Sequence, residues 1–212
     1  MGQGMELTPF NQGALLSGLA DPQARRGVCV ALCDRWLTLM KQANARTPED
    51  RMDSLRKSLQ ASIGYQKSYA QLRAEKDREA ARKHMGKKLG LEFEGLTRVE
   101  KRLAGEAGMV TRLERDVETP GASVAWTLAF PAGRHAIAAV HNMSAVTTNI
   151  HRFTLHVFDP NLGEYVGTVQ ELPAIVADMF RRIPDYKLVT SIDRAEDVSG
   201  GAETGEDDPF KW

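Results

Sequence analysis

Two thiols and five imidazoles are the side chains of this chain best suited to nucleophilic chemistry, and both thiols lie in residues 27–36, GVCVALCDRW. Cys29 and Cys33 are the only cysteines and stand one helical turn apart. That spacing excludes a CxxC redox pair, and no further ligands cluster here to complete a zinc site. No metal or other cofactor is therefore expected. Two cysteines without a secretory signal peptide fit synthesis in a reducing compartment.

Cys29 stands where a loop containing DPQARRG gives way to apolar residues at Cys29, Leu32, Cys33, Trp36, Leu37 and Met40. The spacing predicts a helix with one buried face and Cys29 near its N-terminus. Unpaired backbone N–H groups and the helix dipole favour thiolate there, lowering a free value of about 8.5. Cys33, one turn further in, reads as a small buried hydrophobe.

A thiolate nucleophile needs a proton partner. His84 belongs to a charged helix, His151 lies in or near a hairpin loop, and His156 points away from the face of Leu155 and Val157. His135 and His141, at the two ends of HAIAAVH, remain. Pairing HAIAAVH with RFTLHVFD as an antiparallel hairpin centred near Thr147 sets His141 against Phe153 and His135 against Asp159. Opposed residues have Cβ atoms about 5 Å apart, so an imidazole–carboxylate hydrogen bond is feasible at that rim. The carboxylate would hold the ring's tautomer and stabilise its protonated form. Any hairpin can carry a His and an Asp, so the pair alone does not separate a site from an ordinary sheet edge. Gln23, six positions before Cys29, could donate its amide to an oxyanion together with the Cys29 N–H; standing alone, it reads equally as a surface glutamine.

The elements that position these residues form an α+β arrangement, helices first and an antiparallel sheet after. Residues 1–22 read as a flexible N-terminal segment and 23–193 as one domain, helical over 27–118 and sheet-forming over 122–193. In the helical part, Thr47-Pro48-Glu49-Asp50 starts a helix that bends or breaks near Gly64, and 89–118 reads as further short helices. SVAWTLAF, HAIAAVH and RFTLHVFD are strands, LPAIVADMFRRI is an amphipathic helix, and YKLVTSI is a last strand. Residues 194–212 read as an acidic disordered tail.

The chain has 212 residues, 28 Lys and Arg against 28 Asp and Glu, and no apolar run that approaches a bilayer span. Zero formal charge argues against nucleic acid or an anionic membrane as main partner. The Met-Gly start lacks the Ser or Thr that N-myristoylation wants, because Glu6 stands there.

Taken together, GVCVALCDRWL, GRHAIAAVH and VFDPNLGEY resemble the papain-like cysteine proteases, closest to the YopT/AvrPphB-type effector proteases of bacterial pathogens. The six-residue Gln23–Cys29 spacing and the chain order Cys, His, Asp agree with that superfamily. FDPN-x-GE is the most specific piece. The long His135–Asp159 interval departs from the pattern and implies a longer hairpin loop at NMSAVTTNI. Gln23 departs as well, since YopT-like members often place this residue differently or use Asn. The resemblance implies a papain-like fold, with the nucleophile helix packed on the sheet, and a Cys29–His135–Asp159 triad. It further implies a peptidase secreted without a cleaved signal that cuts a protein in the cytosol of a target cell, with a secretion chaperone or an immunity protein as possible partner. The same triad order also serves amidases, acyltransferases and transglutaminases. A binding module that keeps the triad as a relic of the fold is a further alternative.

Overall fold

The computed structural model describes residues 5–25, 27–42, 47–99, 105–131, 133–147 and 150–199. In chain order the elements are β1 (Glu6–Pro9), α1 (Gln12–Leu16), α2 (Pro22–Arg25), α3 (Cys29–Lys41), α4 (Pro48–Lys57), α5 (Leu59–Glu75), α6 (Arg78–Lys87) and β2 (Phe93–Val99). There follow α7 (Gly105–Val117), β3 (Ser123–Phe130), β4 (Gly133–Thr147), β5 (Ile150–Asp159), β6 (Gly163–Gly167), α8 (Leu172–Arg182), a 3-10 turn (Pro184–Leu188) and β7 (Ser191–Asp197). The strands form one antiparallel sheet in the order β1-β6-β5-β4-β3-β7-β2.

The side-chain period of two divides this sheet into unlike faces. Ala125, Ala136, Ala138 and Ala195 face α3 to α6, and these small side chains let α3 lie close against β4. Trp126, Ile137, Leu155 and Val157 point to the other face, where Leu113 of α7 and Ile175, Val176 and Met179 of α8 cover them. The sheet is thus buried on both sides. α7, the last helix before the main run of strands, packs with α8 on the face opposite α3.

Thr47 caps α4 reciprocally with Asp50, and Pro48 opens the helix, as their order predicts. The break that follows falls at Ser58, not Gly64, and α5 runs unbroken through Gly64.

Four further expectations are corrected. Residues 6–9 and 12–16 are not flexible: β1 pairs with β6, and Gly163 (φ +124°) approaches so closely that a Cβ would lie 2.0 Å from the Thr8 carbonyl oxygen. Phe93–Val99 is a strand, not a helix, because β7 offers it a partner about a hundred residues away. The last strand is SIDRAED rather than YKLVTSI, so 194–197 belong to the sheet and not to a tail. Its acidic side chains are used internally: buried Asp193 binds Arg78 and Arg134, and Asp197 accepts from the Glu92 N–H and pairs with Lys41. The rest of the expected tail, 200–212, lies outside the described residues. Finally, the long His135–Asp159 interval reflects longer strands rather than a longer loop, since β4 reaches Thr147 and β5 begins at Ile150.

Candidate active site

α3 begins at Cys29. The turn before it closes through Gly27, whose φ of +100° suits a residue without Cβ and whose N–H bonds the Ala24 carbonyl at 3.0 Å. Val28 is the N-cap and has no capping side chain. Buried Gln12 stands nearby: its Oε1 accepts from the Val28 N–H at 2.9 Å, and its Nε2 donates to Asn161 Oδ1 at 3.0 Å. One amide thereby ties the approach to Cys29 to the loop that follows Asp159.

His135 lies near the start of β4 and Asp159 at the end of β5, both buried. The observed register sets His141 against Leu155 and Ala138 against Phe158, a slip of two residues from the expected pairing. A slip of two keeps every side chain on its face, so His135 and Asp159 become diagonal rather than direct neighbours. The longer reach suffices: His135 Nε2 lies 2.9 Å from Asp159 Oδ1. The same Oδ1 accepts the Asn161 N–H at 2.8 Å, and Oδ2 accepts the Tyr186 hydroxyl. With Nε2 turned to the carboxylate, Nδ1 is the ring nitrogen left for Cys29, which lines the same cleft.

Charge separates along this line. Burial pushes the Cys29 thiol up, but the hydrogen bond and positive charge of His135, aided by backbone N–H groups of Ala136 and Val30, bring it below its usual value. Burial pushes His135 down, yet the Asp159 charge and hydrogen bond, with Cys29 behind them, raise it to about 10. Both displacements favour thiolate beside imidazolium over the neutral pair. Cys33 behaves oppositely: burial, and then the Cys29 charge, raise it well above an ordinary thiol.

A second histidine–carboxylate pair flanks Asp159 in sequence, with His156 three residues before it and Glu164 five after. His156 Nδ1 is 2.9 Å from Glu164 Oε1, and Glu164 Oε2 accepts from Trp36 Nε1 at 2.8 Å and Arg51 Nε at 2.9 Å. Trp36 stacks on Phe158 at 5.5 Å. GVCVALCDRW and FDPNLGE therefore bind each other directly, through an indole, a ring stack and a buried carboxylate.

Cys29 and His135 line both lobes of a cleft. The larger, about 990 Å³, is walled by α5, Arg78 and Arg134; the smaller, about 410 Å³, by Gln12, Leu16, Phe130, Asn161, Ile183 and Tyr186. Among the described residues no group of three His, Cys, Asp or Glu could hold a metal ion, and no helix is long and apolar enough to cross a membrane.

Of the residues singled out by sequence, Cys29, His135 and Asp159 come together. Gln23 falls in α2, and its side chain lies outside the described residues. Gln12, Asn161 and Tyr186 were missed. Asn11, which caps α1 by accepting from the Ala14 N–H at 2.9 Å, was a readable sign that this segment is ordered. Tyr186 was hidden in a stretch read as strand.

Residues 8–187 match the model of the peptidase C58 family, described as Yersinia/Haemophilus virulence surface antigen. The crystal structure of the Pseudomonas avirulence protein AvrPphB superposes with a TM-score of 0.62 at 22% identity, over 87% of this chain and 99% of that one. PatoxP, a cysteine protease-like domain of the Photorhabdus asymbiotica toxin PaTox, gives 0.46 at 14% identity, over 91% of this chain and 53% of that one. No curated protein matches the chain.

Proposed function

The chain belongs to the peptidase C58 family and is a cysteine protease of papain-like fold, and from that premise we propose that it cuts a protein of a target cell through Cys29, His135 and Asp159. The observation that carries this reading is the meeting of Cys29 and His135 in one cleft, with the imidazole held at 2.9 Å by buried Asp159 and proton affinities displaced toward thiolate and imidazolium. The Cys29 thiolate attacks the scissile carbonyl. His135 gives its proton to the leaving amine, and an acyl thioester remains on Cys29. His135 then takes a proton from water, whose oxygen attacks the thioester and releases the Cys29 thiolate, restoring the starting ion pair. Asp159 holds the ring with Nε2 engaged and Nδ1 toward sulfur. The Cys29 N–H and the Gln23 amide receive the oxyanion, a role for Gln23 that rests on its six-residue spacing from the nucleophile. Secretion without a cleaved signal, and a chaperone or immunity protein as partner, belong to the same reading and rest on the resemblance alone.

Comparing new peptide termini in a target-cell lysate treated with wild type or Cys29→Ala tests this. New termini should appear with wild type only, while both proteins melt at the same temperature. Full cleavage by Cys29→Ala would refute it.

A further inference from the structure

The two lobes of the cleft differ in charge. On the larger side, one face of α5 supplies Lys67 and Arg73, the start of α6 supplies Arg78, and β4 supplies Arg134. No acidic residue lines this lobe among the described residues. Two carboxylates outside this lining pair with its cations: buried Asp193 binds Arg78 and Arg134, and part-exposed Asp21 pairs with Lys67. Four cations thus line the lobe; two carboxylates pair with three of them, which leaves a positive excess, and a concave low-dielectric wall concentrates its field. The smaller side shares Phe130 and Arg134 with the larger and adds Leu16, Ile183 and Leu188 beside Asp185. Leu188 is the most exposed large apolar side chain described, at 54%.

We propose that the α5 lobe is a subsite for a carboxylate side chain of the substrate, so that the enzyme cuts peptides bearing Asp or Glu on one side of the scissile bond and apolar residues on the other. This rests on the protease reading above. An extended peptide crossing Cys29 enters both lobes at once. A substrate Asp or Glu would meet Arg73 and Lys67 on the open face of α5, while Asp193 keeps Arg78 and Arg134 oriented. Lysine in the same place would meet a net positive wall. The discrimination is electrostatic and weakens as salt is raised.

A proteome-derived peptide library cut by wild type, by Cys29→Ala and by a Lys67→Glu, Arg73→Glu double variant tests the proposal. Asp and Glu should be enriched severalfold on one side of the wild-type cuts, and the enrichment should vanish in the double variant. Cuts without that enrichment, or with it unchanged in the double variant, overturn the proposal and leave the protease reading standing. Absence of cuts with wild type overturns the protease reading instead. The subsite is then decided by binding of labelled peptides, alike except for Glu or Lys, to the Cys29→Ala protein. About tenfold tighter binding of the Glu peptide supports it, and equal binding or a preference for Lys overturns it.

Discussion

His135–Asp159 and His156–Glu164 are two histidine pairs to buried carboxylates, of the same 2.9 Å length and both drawn from the β4–β5–β6 part of the sheet. They differ in what else the carboxylate touches. Asp159 accepts from an uncharged hydroxyl and a backbone N–H, so His135 is the cation beside it, and a thiol waits on the far side of the ring. Glu164 already holds the Arg51 guanidinium and the Trp36 indole. Burial pushes the Glu164 carboxyl up, but hydrogen bonds from His156 and Arg51 bring it below its usual value. One pair can move a proton to and from a thiol. The other locks a helix, a hairpin and α4 together. A histidine beside a carboxylate becomes acid–base machinery only when a reacting group is third in line and no fixed cation has taken its place.

The sharpest way to break this contrast is to neutralise each carboxylate in turn. Asp159→Asn should lower kcat by about 10³ to 10⁴-fold, because the ring loses its orientation and the stabiliser of its charge, with little change in stability. Glu164→Gln should do the reverse. It leaves the buried Arg51 charge without its counter-ion, at about 3–5 kcal/mol in chemical denaturation, while activity per folded molecule survives. The stability that Glu164 adds is fully present above pH 4.5 and is lost as pH falls below it, since its folded value is the lower one. A rate collapse in Glu164→Gln without unfolding would merge the two pairs into one network.

How much of this could be read beforehand follows from the range of the forces. Cys29 was visible because a helix start is a local event, and the His135–Asp159 pairing survived a two-residue error in register because strand parity did not change. Glu164 was visible only as a motif letter. Its partners Trp36 and Arg51 lie more than a hundred residues away and share no spacing with it. The acidic end of β7, residues 194–197, read as tail because Lys41, the cation paired with its Asp197, comes from an element more than a hundred residues away. Gln12 was lost with a segment whose order depends on pairing with β6.

A smaller perturbation sharpens the contrast from the active side. Tyr186→Phe removes the hydroxyl that donates to Asp159 Oδ2. One such bond is worth about 1 kcal/mol, so kcat should fall about fivefold with KM unchanged. Loss comparable to Asp159→Asn would make Tyr186 more than a support.

The most direct measurement is the rate of alkylation at Cys29 against pH, located by mass spectrometry, in wild type and in His135→Ala. A thiolate held by imidazolium keeps wild type reactive at pH values below the ordinary thiol value of 9.0, slows only as acid returns the proton, and leaves buried Cys33 unlabelled. In His135→Ala the profile should move toward an ordinary thiol or beyond, because burial then acts without the opposing charge. Coincident profiles in the two proteins would contradict the pairing of Cys29 with His135.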